Sequence, residues 1–235
     1  MADEWIFRRR NLPHVDVEGK PTFITACLSG SLSAAGLRKI RSYREELSNR
    51  SAPEDVTPEE WELKKHKLIF KLVDSLLDGA APVQHLKDHR LARIVQNAFL
   101  HFADQRYRLY AFVVMPSHHH WVFLPDETWA SELAVEQAGK ARRKTPREAI
   151  SHSIQSFTAT QCNRTLCHSG AFWQTETFDH VVRDEAELMR IIHYIEQNPV
   201  VAGLVTNADD YHWSSARLRK QLDLKPGDAI TKPVE

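Results

Sequence analysis

The stretch RYRLYAFVVMPSHHHWVFLP (106–125) places aromatic and β-branched residues on both sides of a Met-Pro-Ser step and three consecutive histidines. Such side chains suit a pleated, half-buried surface, so the run predicts a central strand that enters the histidines directly and continues to Pro125. On a strand, alternate side chains share a face: His118 and His120 look one way and His119 the other. Their Cα atoms would lie roughly 6.6–6.8 Å apart. Two imidazoles so placed can converge on one divalent ion, Mn²⁺ or Zn²⁺ and less often Mg²⁺ with added oxygen ligands. Ordinary core or surface histidines are the alternative, and two histidines alone do not complete a site.

The last clear helix, DEAELMRIIHYIEQN (184–198), offers candidates for completing it. Asp184 and Glu187 fit an N-cap with a reciprocal acid, and Pro199 is expected to end the helix. Leu188, Ile191, Ile192 and Ile195 form its buried stripe. Tyr194 and Asn198 sit one turn apart beside that stripe, with Glu187 on the same flank, so the Asn198 carboxamide could ligate the same ion.

Between these elements the chain alternates in type. PTFITACLSG (21–30) reads as an opening strand and LRKIRSYREELSNR (37–50) as a helix broken by Pro53 and Pro58. PEEWELKKHKLIFKLVDSLLDG (58–79) reads as a helix with Trp61, Leu68, Leu72 and Leu76 on one side and a stop at Gly79. A third helix follows in LARIVQNAFLHFAD (91–104). The polar stretch 126–146 leads into GKARRKTPR, where Lys140, Arg142, Arg143, Lys144 and Arg147 form either a solvated loop or a phosphate-contacting patch. A helix from about Arg147 carries Ile150, Ile154 and Phe157 at helical spacing, and AFWQTETFDHVV (171–182) is an extended segment.

Charge narrows the partners. The 235 residues carry 31 positive and 31 negative side chains, which argues against a general polyanion binder. The start MADEWIFRRR has no apolar core for a secretory leader, and three cysteines are an odd number, so a reduced, cytoplasmic setting is expected. The longest apolar run, Leu109 to Pro116, falls far short of the roughly 20 residues that span a bilayer. Cys162 and Cys167 with His168 lack a fourth zinc ligand and read as structural.

Several segments together resemble one family. Met115-Pro-Ser-His-His-His120 is similar to the histidine motif of the single-tyrosine HUH transposases. FWQTETFDHVVRDEAEL (172–188), YIEQNPVVAGLV (194–205) and DYHWSSAR (210–217) look like their REP-associated branch, as do PTFITACL and SIQSFTATQCNR. The resemblance covers about residues 20 to 219. It implies an α+β fold: a single ferredoxin-like HUH domain with a mainly antiparallel central sheet, helices packed on one face and a helical insertion. The core would be about 20–36 and 105–205, the insertion about 37–104, and 206–235 a C-terminal extension.

The implied chemistry is metal-dependent cleavage and transfer of single-stranded DNA, often folded as a hairpin, through a 5′-phosphotyrosine. Tyr194 would be the nucleophile, His118, His120 and Asn198 the ligands, and Mg²⁺ or Mn²⁺ the cofactor. The basic patch with Gln174 and Arg183 would meet DNA, in a nucleoid-associated protein with no membrane partner, a monomer in preference to a dimer; Asp179 and His180 would serve either substrate or structure. Three positions depart from the family's pattern: Ser117 for Asn, His119 for a bulky apolar residue, and Gln155 for Lys. They keep open a noncatalytic module that binds single strands or hairpins, and a His-x-His phosphodiesterase needing no tyrosine is the third reading.

Overall fold

The protein is described here by a computed structural model covering residues 6–9, 13–16, 19–78, 81–175 and 177–230. A short antiparallel hairpin, β1 (Ile6–Arg9) and β2 (Pro13–Asp16), precedes the main sheet. There follow β3 (Thr22–Cys27), α1 (Ala34–Ser48), α2 (Pro58–Asp78), α3 (His89–His101), β4 (Tyr107–Val114), β5 (His118–Pro125) and α4 (Glu127–Glu136). The chain continues through α5 (Pro146–Leu166), β6 (Phe178–Val181), α6 (Glu185–Val201) and α7 (Ser215–Gln221). The expected stop of α2 at Gly79 lies outside the described residues.

The main sheet has the order β4-β5-β3-β6 and is antiparallel throughout. Read from β3, the connections run strand, helical crossover, hairpin, helical crossover, strand, which is the ferredoxin-like arrangement. The fold is therefore the α+β one that the sequence suggests, with two corrections. The stretch 106–125 is a hairpin rather than one strand: the Met115 N–H donates to the His118 carbonyl at 2.9 Å, and Pro116, having no N–H, sits in the turn. Helices cover both faces of the sheet, not one.

The second correction follows from composition. β3 is buried along its whole length and β4 ends in four buried residues, so neither face can be left to water. On one face Ile24, Leu109, Phe112, Trp121 and Phe123 pack with Leu91, Val95 and Phe99 of α3 and with Ile150 and Ile154 of α5. On the other, Phe23, Val113 and Val122 meet Ile192 and Ile195 of α6 and Phe70 of α2. Among residues 37–104, α3 thus packs under the sheet, while α1 packs on α2 through Ile40, Leu47, Ile69, Val73 and Leu77, beside Cys27 of β3.

Helix ends and phases differ in detail from expectation. α5 starts at Pro146 behind a Thr145–Glu148 capping box, and its buried stripe is Ile150, Ile154, Thr158 and Cys162. Thr158 replaces Phe157 in that stripe because its hydroxyl accepts the Trp173 indole N–H at 2.9 Å, which leaves Phe157 exposed. α6 runs through Pro199: in the last turn a proline forfeits one backbone bond, and the Ala202 N–H closes on the Asn198 carbonyl at 2.9 Å.

The residues after α6 cover the outer edge of β4. Val114 N–H donates to the Trp213 carbonyl and Ile230 N–H to the Leu109 carbonyl. Arg219 donates to the carbonyls of Tyr110, Lys225 and Asp228 and pairs with Glu196. An open edge that could pair with another chain is thereby closed. Among the described residues no helix is long and apolar enough to cross a membrane.

Trp121 sits at the centre of the aromatic cluster, its ring centroid 4.8 Å from Phe99 and 4.1 Å from Phe123. Trp121→Ala is expected to lose about 3–5 kcal/mol of stability, read as a lower urea midpoint at unchanged slope.

Candidate functional site

β5 carries the histidines as its alternation requires. His118 and His120 point to the α6 and α2 side, and both are completely buried. Their Nε2 atoms lie 3.1 Å apart. His119 points to the opposite face, edge-on to Phe99 and Trp173 with centroids 5.1 and 4.9 Å away, and neither of its ring nitrogens has a hydrogen-bond partner. Burial, with a smaller contribution from His120, pushes its pKa down to about 3, so it is a neutral core side chain.

The outer histidines are held by hydroxyls. Ser117 Oγ donates to the Leu77 carbonyl at 3.1 Å and lies 3.0 Å from His118 Nδ1. With its one proton so used, Ser117 accepts from Nδ1–H, which leaves the lone pair of His118 on Nε2. Thr25 Oγ1 lies 2.6 Å from His120 Nδ1 and permits the same tautomer. Two inward lone pairs at 3.1 Å repel unless a proton or a cation lies between them. Burial, ahead of the neighbouring His120, holds the His118 pKa well below the ordinary histidine range, so His118 is neutral.

The third donor comes from α2. Asp74 Oδ1 lies 3.2 Å from His120 Nε2, and ligand atoms of Asp74, His118 and His120 fall within 4.8 Å of one another. Burial alone would raise the Asp74 pKa, but the hydrogen bond and charge of His120, and the hydroxyl of Tyr194, outweigh it and keep the carboxylate ionised. Asp78, one turn on, lies 3.8 Å from His118 Nε2, and burial next to Asp74 lifts it to about 6. One carboxylate and two imidazoles, buried and converging, could hold a divalent ion.

Tyr194 closes the cluster from α6. Its hydroxyl donates to Asp74 Oδ2 and accepts from Asn198 Nδ2 at 3.4 Å. Burial first, then the charge of Asp74, raise its pKa far above that of a free phenol. Asn198 is buried, and its Oδ1 has no hydrogen-bond partner. The structure thus brings together His118, His120, Tyr194 and Asn198, and adds Asp74 and Asp78, which the sequence reading missed. A signal existed: Phe70, Asp74 and Asp78 recur every four residues within the apolar run LIFKLVDSLLD, where a solvated face would not explain buried acids.

The DNA-contact candidates separate. Lys140, Arg142, Arg143 and Lys144 are exposed on the α4–α5 loop, which the Gln137 side chain clasps through both the N–H and the carbonyl of Lys144. Arg147 is buried in an ion pair with Asp179 at 3.0 Å, so it ties α5 to β6 instead of facing a ligand. The Gln174 N–H donates to the Cys27 carbonyl at 2.8 Å. Arg183 grips Glu187 through its guanidinium and its backbone N–H, so the acid expected to complete a capping box with Asp184 turns one residue further back. Glu187 also pairs with Lys67 of α2 at 3.0 Å and lies 3.2 Å from His180 of β6.

Comparison with known proteins gives the same direction as the motifs. No family model matches the chain. A Haemophilus influenzae protein named as a REP-associated tyrosine transposase is 27% identical over 121 residues, 50% of this chain and 64% of that protein. An uncharacterized protein of the same organism is 26% identical over 99 residues, 40% of this chain and 55% of the relative. The chain therefore matches less than two-thirds of the length of either curated relative. A solved structure described as a REP-associated tyrosine transposase bound to a REP hairpin aligns over 100% of this chain and 94% of its own, with a TM-score of 0.50 and 16% identity. The chain resembles REP-associated tyrosine transposases in sequence, and the solved neighbour shares its fold.

Two outcomes are expected from this geometry. Saturating Mn²⁺ should raise the melting temperature by about 5–10 °C, a shift lost in His118→Ala and reduced in Asp74→Asn. Glu187 is held well below the ordinary carboxylate range because Arg183 and Lys67 overcome the opposing effect of burial. A carboxyl depressed on folding stabilises above its unfolded pKa of about 4.3 and loses that contribution as the pH falls through its folded value. Glu187→Gln should thus cost about 1–3 kcal/mol at pH 7, with the gap to wild type narrowing below about pH 4 in urea unfolding.

Proposed function

We propose that the protein cleaves and rejoins single-stranded DNA, at hairpin or REP-like sequences, through a 5′-phosphotyrosine on Tyr194. The observation that carries the reading is one buried cluster in which the Tyr194 hydroxyl donates to the Asp74 carboxylate, whose other oxygen contacts the His118–His120 pair. A nucleophile, an acceptor for its proton and a cation site are then contiguous, which is the minimum set for covalent phosphoryl transfer.

A free phenol is a poor nucleophile at neutral pH, and burial beside Asp74 makes Tyr194 poorer still until its proton is taken. Asp74 Oδ2 already accepts the hydrogen bond of that hydroxyl and would take its proton as the O–P bond forms. Tyr194 Oη would form the new O–P bond in line with the departing 3′-oxygen, which leaves as a free 3′-hydroxyl once protonated. Resealing is the reverse, and the phosphotyrosine conserves the phosphodiester energy. His118, His120 and Asp74 would hold a divalent Mg²⁺ or Mn²⁺ ion, with the unpartnered Asn198 Oδ1 as a further oxygen donor. Such an ion supplies Lewis-acid stabilisation of the charge developing on the phosphate. Asn198 Nδ2 holds the phenol oxygen in place.

The exposed loop of Lys140, Arg142, Arg143 and Lys144 would add phosphate contacts that position the strand without reading its sequence. Ser117 suits this chemistry because it orients His118, and His119 is spent on the opposite core. We read the working unit as a cytoplasmic, nucleoid-associated monomer.

The test incubates the protein with a pool of labelled single-stranded hairpins and Mn²⁺ or Mg²⁺ and resolves the products on denaturing gels. The wild type should give a metal-dependent covalent band absent from Tyr194→Phe and from the His118→Ala/His120→Ala double variant, with Asp74→Ala reduced by at least about 100-fold. Hairpin binding with no adduct would favour a noncatalytic module, and cleavage retained in Tyr194→Phe would favour a phosphodiesterase.

A further inference from the structure

Beside Tyr194 a cavity of about 260 Å³ opens between α2, α6 and β6. Its walls are Phe23 of β3, Phe70 of α2 and Phe178 of β6, together with Ile69 and Ile191, and Tyr194 is part of its lining. The three phenylalanines and the tyrosine meet edge to face: Phe23–Phe70 at 5.5 Å, Phe70–Phe178 at 6.2 Å and Phe70–Tyr194 at 6.0 Å between centroids. Phe23 also stacks on His120 at 5.7 Å, and no two of the four rings are stacked on each other.

The cavity's polar groups are of one useful kind. Arg190 is exposed at its border, and no carboxylate partner for it is found among the described residues. Lys67 lies beside it, half exposed. The acids at the same wall are already engaged, Glu187 by Arg183, Lys67 and His180, and Asp179 by Arg147. His66, half-buried in the wall, offers an imidazole that can donate and accept at once. An aromatic slot with a cationic mouth matches a nucleotide, whose base stacks on rings while its phosphate stays at the rim. An apolar peptide side chain or an acyl chain would have no use for the Arg190 guanidinium.

We propose that this cavity receives one unstacked nucleobase of the strand, the base adjoining the phosphate presented to Tyr194. The proposal rests on the reading of Tyr194 as the nucleophile and adds how the strand is held there. A nucleotide whose phosphate reaches the phenol must put a neighbouring base close by, and the aromatic cavity that Tyr194 itself lines adjoins it. The wall contributed by α2 makes that helix part of the substrate site: Phe70 grips the base one turn before Asp74 meets the phenol. The Arg147–Asp179 pair fixes β6 at the residue next to Phe178, steadying that wall.

The test reads binding without cleavage. The full chain, labelled at isoleucine δ1 methyls, is titrated in Mg²⁺ with deoxyribonucleotide homotetramers of each base and with an abasic tetramer of equal charge. At least one base-bearing tetramer should shift the methyls of Ile69 and Ile191 and leave those of Ile24 and Ile150, on the other face of the sheet, in place. Phe178→Ala should weaken that binding by roughly tenfold. Ile191→Trp, which fills the cavity instead of emptying a wall, should abolish it, and unchanged Ile24 and Ile150 methyls report that each variant is folded. Silent methyls with all four tetramers, or equal shifts with the abasic strand, would overturn the proposal. A protein that forms the covalent adduct with silent methyls would lose only the base pocket; one that fills the pocket but forms no adduct would lose only the tyrosine chemistry.

Discussion

Two imidazole nitrogens 3.1 Å apart in a fully buried place are a constraint on everything around them. If both lone pairs face inward they repel, and if an added proton bridges them the pair carries charge in a low-dielectric interior. The charged state needs an anion within a few ångströms, and the sheet supplies none, because its neighbouring inward positions are Phe23, Thr25, Cys27, Val113 and Val122. The counter-group therefore arrives from outside the sheet, as the Asp74 carboxylate on α2. That requirement explains why α2 lies where it does. Its apolar residues alone could pack with α1, but a buried carboxylate is tolerable only against the histidines and the tyrosine hydroxyl.

Once α2 is placed, the rest of the site follows from helix spacing. Lys67, Phe70, Asp74 and Asp78 descend one flank at intervals of three or four residues. Each meets a different element: Lys67 reaches Glu187 of α6, Phe70 the rings of Phe23 and Phe178, Asp74 the pair His120 and Tyr194, and Asp78 the side of His118. Glu187 is the anchor of this arrangement, since it joins α2, β6 and α6 through three cationic or imidazole partners. The same contacts that cover the histidines also build the aromatic cavity, so closure of the site and formation of the pocket are one packing event.

What could be read in the residues themselves tracks periodicity. The strand period of two placed His118 and His120 together and His119 opposite, and the helix period placed Tyr194 beside Asn198; both hold because a local rule fixes them. The hairpin at Pro116 was missed because both its strands are apolar and β-rich, leaving only a three-residue interruption to show the reversal. Asp74 was missed for a different reason. α2 is apolar around much of its circumference, and choosing Trp61, Leu68, Leu72 and Leu76 as the buried line sent the acids to solvent. In the structure the buried residues are Trp61, Ile69, Val73 and Leu77, one residue further along, which turns Asp74 inward. A helical phase error of one residue is enough to hide a ligand. Phe157 shows the same weakness: hydrophobicity favoured it, and a single indole hydrogen bond put Thr158 inside instead.

His119 shows how far the two faces of β5 are independent. A histidine flanked by two others would compete for a cation if the strand could slip by one residue, because a slip exchanges the faces. The register is fixed from both sides, by Ala26 of β3 opposite His119 and Val114 of β4 opposite it on the other edge. Leu28 N–H on the Ser117 carbonyl and Met115 N–H on the His118 carbonyl hold the turn end of the strand in the same alignment. His119 is then confined between Phe99 and Trp173 as a neutral ring with two unpartnered nitrogens, a cost that a phenylalanine or leucine there would not incur. That cost falls on the packing of α3 and Trp173, while the chemistry of His118 and His120 on the other face is untouched by it.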